Sequence, residues 1–229
     1  MQTLHTTYLG LTRYQAAWDL QKKLFDLRVA GEIGDILLLN EHAPVYTLGK
    51  SGDDNHLLAG KADLEQQGID LHHIDRGGDV TFHGPGQLVG YPIMNIAGER
   101  ADVHQYLRTI EEVIIRTLAG YGIAGTRDSD FTGVWVGNNK IAAIGIKVAH
   151  WVTMHGFALN VNTDLTYFDR IIPCGIFHKG VTSMERLLGR TIPLEDIAGQ
   201  IIIHSGEIFG VHPVPVSADD IWNLAPVSI

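Results

Sequence analysis

Two residues of this chain have side chains suited to group transfer if the fold brings them together. Cys174, the one cysteine among 229 residues, stands in Ile172-Pro173-Cys174-Gly175, and Lys140 opens an apolar run earlier in the chain. A lone thiol excludes an internal disulfide and a multi-cysteine zinc cluster, which leaves packing or thiolate reactivity. Free cysteine is often buried for packing alone, and most lysines at strand ends are solvated. An ammonium beside the thiol changes both roles. Moving a thiol from its usual pKa of about 8.5 to about 7 takes about 2 kcal/mol of preferential thiolate stabilisation, within reach of one partly desolvated cation. The pair would then be a nucleophile with its own proton acceptor.

Two further segments carry chemistry-bearing patterns. Arg76-Gly77-Gly78-Asp79-Val80-Thr81-Phe82-His83-Gly84-Pro85-Gly86-Gln87 is dense in glycine around a short strand, which suits either tight turns or close approach of backbone to a ligand. It matches neither G-x-G-x-x-G opening a helix nor G-x-x-x-x-G-K-[ST], so it is not a nucleotide loop. The second is Lys140–Ile146 followed by His155-Gly156-Phe157-Ala158-Leu159-Asn160-Val161-Asn162. Strict alternation places Trp151, Thr153, His155, Phe157, Leu159 and Val161 on one face and Gly156, Ala158 and Asn160 on the other. With Ala143 and Gly145 opposite, the second face has little bulk, and either an apolar ligand slot or close helix packing would use it. His155 on the apolar face reads as a hydrogen-bonded core histidine.

Positioning these residues requires strands broken by turns, with helices set apart. Strands are expected over 35–40, 45–48, 79–82, 88–94, 133–136, 140–148 and 151–161, with a hairpin turn at Gly137-Asn138-Asn139. Helices are expected over 12–30, from a Thr12-x-x-Gln15 capping box to Gly31; from Asp102 to Gly120; and over about 194–208 after Pro193. This order predicts an α+β fold, a mostly antiparallel sheet covered on one face by helices. No linker, repeat or low-complexity tract divides it, so one domain over 1–229 is expected.

The charge of −9 argues against nucleic acid as the main partner. No Lys or Arg follows Arg190, whereas Glu195, Asp196, Glu207, Asp219 and Asp220 do, so an acidic partner is expected to approach the earlier residues. With no signal-peptide pattern and no apolar run of membrane length, a soluble cytoplasmic protein is expected. His72-His73-x-Asp75 with His83 makes a poor metal set, because neighbouring side chains on a strand point to opposite faces.

The run Arg76–Gln87 with Gly90-Tyr91-Pro92 resembles the signature of the lipoyl(octanoyl) transferase family, the lipoate-protein ligase B type. Glu41-His42-x-Pro44-Val45-Tyr46-Thr47-x-Gly49, Gly133-Val134-Trp135-Val136-Gly137, Lys140-Ile141-Ala142, His155–Asn162 and Pro173-Cys174-Gly175 stand in the family's order, over about residues 35 to 185. The resemblance implies the biotin/lipoyl protein ligase fold, of the class II synthetase-like kind. It implies Cys174 as acyl-thioester nucleophile and Lys140 as the residue that lowers its pKa. It also implies an acyl pocket lined by Arg76, Gly77, Gly78, Asp79, Val80, Thr81, Phe82 and His83, by Ala143, Ile144 and Gly145, and by Gly156, Phe157 and Ala158. Asp79 departs from the Gln or Lys expected of many members.

The reaction so implied moves an octanoyl group from octanoyl-acyl carrier protein to a lysine of an acceptor domain, with no ATP and no cofactor. The acceptors would be lipoyl domains of 2-oxoacid dehydrogenase E2 subunits and the glycine cleavage H protein. Backbone N–H groups near Gly175 or in the Gly77-Gly78 turn are expected to hold the oxyanion. Three other readings use the same residues: an ATP-dependent lipoate or biotin ligase, a cysteine hydrolase with His83 or His155 as base, and a non-catalytic acyl-binding module.

Overall fold

The computed structural model describes residues 2–98, 101–172 and 179–224. The strands are β1 (Gln2–Thr12), β2 (Asp35–His42), β3 (Val45–Leu48), β4 (Asp70–His73), β5 (Val80–His83), β6 (Gln87–Ile93), β7 (Thr126–Arg127), β8 (Val134–Val136), β9 (Asn139–Ala149), β10 (Val152–Asn160), β11 (Gly180–Val181) and β12 (Val211–Pro215). The helices are α1 (Tyr14–Ala30), α2 (Lys61–Gln66), α3 (Val103–Ala119), α4 (Met184–Leu188), α5 (Leu194–Phe209) and α6 (Ala218–Leu224). Among the described residues, nine strands form a large sheet in the order β12-β1-β2-β6-β10-β9-β8-β7, with β11 beside β9, and a small sheet runs β4-β3-β5. From β2 to β7 the large sheet is antiparallel, so the expected α+β class holds, while β1 runs parallel to both β2 and β12.

Helices cover the large sheet on both faces rather than one. α3 and α5 pack with Leu37, Leu39, Phe157 and Leu159, and α1 and α6 pack with Ile36, Leu38, Met154 and Ala158. The central strands β2, β6 and β10 are therefore buried along almost their whole length, which needs apolar residues at successive positions rather than at alternate ones.

Local chemistry sets most element ends. Asp102 caps α3 by accepting from the Gln105 N–H at 2.9 Å, and Gly31, at φ 76°, ends α1 in the left-handed conformation. The Thr12 capping box does not form. Thr12 lies in β1 opposite His42, its hydroxyl donates to the Glu41 carbonyl at 3.2 Å, and α1 starts at Tyr14 with no side-chain cap. The hydroxyl is spent in the sheet. Among the described residues, no helix is long and apolar enough to cross a membrane.

Candidate active site

A cavity of about 480 Å³ opens where the small sheet meets the β9–β10 hairpin, within the size range of small-molecule sites. One wall is the turn Arg76–Asp79 with Val80, Thr81 and His83, and the opposing wall is Ala143–Ile146 with His155–Ala158. Gln87, Val89, Tyr91 and Asn160 line it from the large sheet and Tyr14 from α1, and Leu107, Asp130, Phe131, Thr132, Lys140, Phe168 and Val181 complete it.

Glycine at two positions makes these walls possible. A Cβ on Gly145 would stand 2.8 Å from the Gly77 carbonyl oxygen, and one on Gly156 would strike the Gly90 carbonyl oxygen and come within 2.6 Å of Pro92 Cδ. The low bulk of this face thus serves both open space and close backbone approach.

Of the residues expected to line an acyl pocket, Phe82 does not face the cavity. It stacks on Tyr167 at 4.3 Å and meets Tyr46 at 5.3 Å in the apolar centre of the small sheet. On β5 it points away from its neighbours Thr81 and His83, as strand alternation requires. Within the Gly77-Gly78 turn, one of the two places expected to hold an oxyanion, the Gly77 N–H is already committed to the Ile146 carbonyl at 2.9 Å.

Lys140 lies half-buried on the cavity wall, its Nζ 4.8 Å from the centroid of the Trp135 ring. Val181 of β11 pairs with it, and the Thr182 N–H donates to its carbonyl at 3.0 Å. Cys174 lies outside the described residues. The chain on its N-terminal side is tied to the cavity wall: the Ile172 N–H donates to the His56 carbonyl at 2.8 Å, and His56 Nδ1 stands 2.6 Å from Asp79 Oδ2. The other carboxylate oxygen of Asp79 accepts from the Val80 N–H at 2.7 Å. Asp79 therefore serves as a structural acceptor inside the glycine-rich motif.

Buried polar groups form the rest of the site. The Arg76 guanidinium donates to the carbonyl and hydroxyl of Thr47, at 2.9 and 3.0 Å. His83 Nδ1 is 2.8 Å from Gln87 Oε1, and Gln87 donates to Asn160 Oδ1 at 2.9 Å. Burial pushes His83 down to about 4 and the nearby His42 to about 3, so both imidazoles are neutral at pH 7. His155, 2% exposed, is likewise lowered by burial, and its Nε2 stands 2.8 Å from Asp75 Oδ1. Asp75 is held well below the usual carboxylate range, first by the His155 hydrogen bond and then by that of Lys147 at 2.6 Å. His83 Nε2 stands 3.4 Å from the Thr47 hydroxyl, and the expected pairing of His83 or His155 with Cys174 lies outside the described residues. Among the described residues, no group of three His, Cys, Asp or Glu is arranged to hold a metal.

The sequence reasoning omitted Tyr14, Asp75, Leu107, Phe131 and Phe168 from the site. Tyr14 and Leu107 arrive from α1 and α3 and Phe131 and Phe168 from segments outside the motifs, while Asp75, one position before the glycine-rich motif, is drawn in by partners far along the chain. Gln87, Tyr91 and Asn160 sit inside the motifs themselves, and their polar side chains amid apolar neighbours were a usable signal.

A family model for the lipoyl protein ligase A/B catalytic domain matches residues 13–205. An octanoyltransferase of Rubrobacter xylanophilus is 55% identical over 203 residues, covering 88% of this chain and 91% of that one. An octanoyltransferase of Caldicellulosiruptor saccharolyticus is 44% identical over 228 residues, covering 99% and 97%. Among solved structures, the bi-partite lipoate protein ligase of Thermoplasma acidophilum, described with its E2 lipoyl domain, superposes with a TM-score of 0.75 at 16% identity, covering 98% of this chain and 90% of that one. Apo biotin protein ligase from Aquifex aeolicus gives 0.51 at 11% identity, covering 92% and 70%. At such identities the two structures share the fold alone.

Proposed function

The chain belongs to the lipoyl protein ligase A/B catalytic domain family, and we propose that it transfers an octanoyl group through an acyl thioester on Cys174. It is an acyltransferase acting on octanoyl groups in lipoate biosynthesis. The donor is octanoyl-acyl carrier protein; the acceptors are lipoyl domains of 2-oxoacid dehydrogenase E2 subunits and the glycine cleavage H protein.

One observation carries the reading: a lysine stands on the wall of a cavity in which Ala143, Ile144, Gly145, Gly156, Phe157 and Ala158 form an apolar surface facing the glycine-rich turn Arg76–Asp79. Such a slot suits an alkyl chain, and eight carbons offer roughly 5 kcal/mol of burial at about 0.8 per methylene. The Cys174 thiolate attacks the donor's thioester carbonyl. The tetrahedral intermediate collapses, the carrier's thiolate leaves and takes a proton, and octanoyl-Cys174 remains. An acceptor lysine amine then attacks that carbonyl, gives up a proton, and expels the Cys174 thiolate as the amide forms. Lys140 accepts and returns the protons. The thioester-to-amide step is downhill, so ATP is not consumed.

The ATP-dependent ligase reading is weaker, since lipoate and biotin ligases match at 11–16% identity whereas octanoyltransferases match at 44–55%. Incubation with octanoyl carrier protein and no acceptor tests the mechanism. One octanoyl mass on Cys174, labile to neutral hydroxylamine and indifferent to ATP, is expected. An unmodified protein points to a non-catalytic binding module, and a requirement for ATP points to the ligase.

A further inference from the structure

We infer that Asp75, by bridging Lys147 and His155, latches the Arg76–Gly78 turn onto the β9–β10 hairpin and so sets the acyl-chain selectivity of the cavity. The inference rests on the cavity being the acyl site.

The bridge begins from a distorted strand. His155 has φ 60°, a left-handed conformation unusual for a bulky residue and stable only where the surroundings enforce it. Two contacts enforce it here. Its N–H donates to Gln21 Oε1 of α1 at 3.1 Å, and its ring meets Asp75 Oδ1 at 2.8 Å. The second Asp75 oxygen accepts from Lys147 Nζ on the adjacent strand at 2.6 Å. Residue 75 immediately precedes the turn, and two residues later Gly77 donates to the Ile146 carbonyl. The turn is thus held at three points directly against the hairpin, and this seam sets how one cavity wall is placed on the other.

Stability alone is a poor account of this arrangement. Asp75 and Lys147 keep 36% and 29% of their side-chain exposure, and ion pairs so open to solvent contribute little to folding. What they do fix is position, since a carboxylate gripped by two strands cannot slide along either. For an alkyl substrate recognised without polar contacts along its length, wall separation is the available discriminator, and one methylene can be worth about tenfold or more in selectivity. Asp75, Lys147 and His155 are positioning residues on this reading.

The test compares Asp75→Ala, Asp75→Asn and Lys147→Met. Calorimetry on a Cys174→Ala background measures binding of saturated carboxylates of six to fourteen carbons, and transfer kinetics use the matching acyl thioesters in proteins with Cys174 intact. The expected result for Asp75→Ala is an eight-over-twelve-carbon preference reduced about tenfold, with the loss falling on KM more than on kcat. Asp75→Asn, which keeps an acceptor for His155 but not the charge, should lie between Asp75→Ala and wild type. If Asp75→Ala fails to fold, the other two carry the test. Variants that retain the wild-type chain-length profile, or lose binding of every chain equally, overturn the latch, as does a wild-type protein with no preference for eight carbons. Wild-type protein that binds octanoate selectively but transfers no octanoyl overturns the proposed mechanism and leaves the latch standing.

Discussion

Lys140 and Val181 are register partners in a parallel pairing, and the next residue, Thr182, donates its N–H to the Lys140 carbonyl. The chain that follows Cys174 is therefore returned alongside the candidate base after seven residues, while Lys147 is engaged with Asp75. Lys140→Ala is expected to slow octanoyl transfer by about 10²-fold and to raise the pH at which Cys174 alkylates. Lys147→Ala should leave the alkylation profile in place. Iodoacetamide rates from pH 5 to 9 decide the matter, and a Lys147→Ala profile displaced as far as that of Lys140→Ala would sink the assignment.

Acid sensitivity should begin with histidines rather than carboxylates. His42 and His83 are pushed down by burial to about 3 and about 4, and His155 is lowered by the same cause. In the unfolded chain each takes up a proton near its ordinary value of about 6.5, so the unfolded state binds more protons below that pH and stability falls as pH falls. Each contributes at most about 1.4 kcal/mol per pH unit until its folded pKa is reached. Asp75, depressed, is still ionised in the folded state throughout this range, and carboxylate losses begin only near and below about pH 4. Urea midpoints measured from pH 7.5 to 5 should decline steadily, and a flat series would show that these imidazoles are not buried neutral.

Gly156→Ala and Gly145→Ala separate fold from cavity. At 156 the new methyl strikes the Gly90 carbonyl and Pro92 in the central strand β6, backbone that cannot move without disturbing the large sheet. At 145 it meets the Gly77 carbonyl at 2.8 Å and Arg76 Cδ at 3.1 Å, both on a turn at the cavity wall. Gly156→Ala should cost about 1–3 kcal/mol or more of stability by overpacking, with a matching drop in melting temperature. Gly145→Ala should melt closer to wild type while its KM for an octanoyl thioester rises. Equal melting temperatures for the two would contradict this division.

Periodicity was enough to find the long elements. The apolar stripe after Asp102 became α3, which buries the face its spacing defines, and Val45–Leu48 became β3 with the expected bounds, buried at all four positions. β1 was not legible. His5, Thr6 and Thr7 interrupt its apolar residues, yet Thr6 and Thr7 are buried because β2 and β12 flank it from distant parts of the chain. The site divides in the same way. The glycine-rich motif forms a cavity wall, but Phe82 within it points into the small sheet, and Asp75, one position before the motif, takes its importance from residues 72 and 80 positions later. Contacts of that range leave no mark on local spacing.

Docking is the remaining question, since the resemblance implies acidic carrier and acceptor domains while this chain carries −9. Local basic residues must then do the steering. Lys50, Arg170 and Lys179 are candidates, and of these Lys179 is committed: its Nζ is bound to Asp128 and lies 4.4 Å from the Trp135 ring centroid and 4.8 Å from that of Phe131. Arg170 donates to Gln67 Oε1 at 2.8 Å and keeps a looser contact to Asp63 at 3.7 Å. Lys50 is exposed, with its backbone N–H tied to the Arg76 carbonyl at the cavity turn. Lys50→Glu with Arg170→Glu should therefore weaken the apparent affinity for octanoyl carrier protein and flatten its salt dependence, with little effect on a small soluble octanoyl thioester. Lys179→Glu should instead reduce reaction with both substrates, because it breaks the Asp128 pair that packs against Phe131, a residue lining the cavity. Steady-state KM for each substrate from 50 to 400 mM salt separates these outcomes, and an unchanged salt response in the double variant would move carrier docking onto apolar contacts.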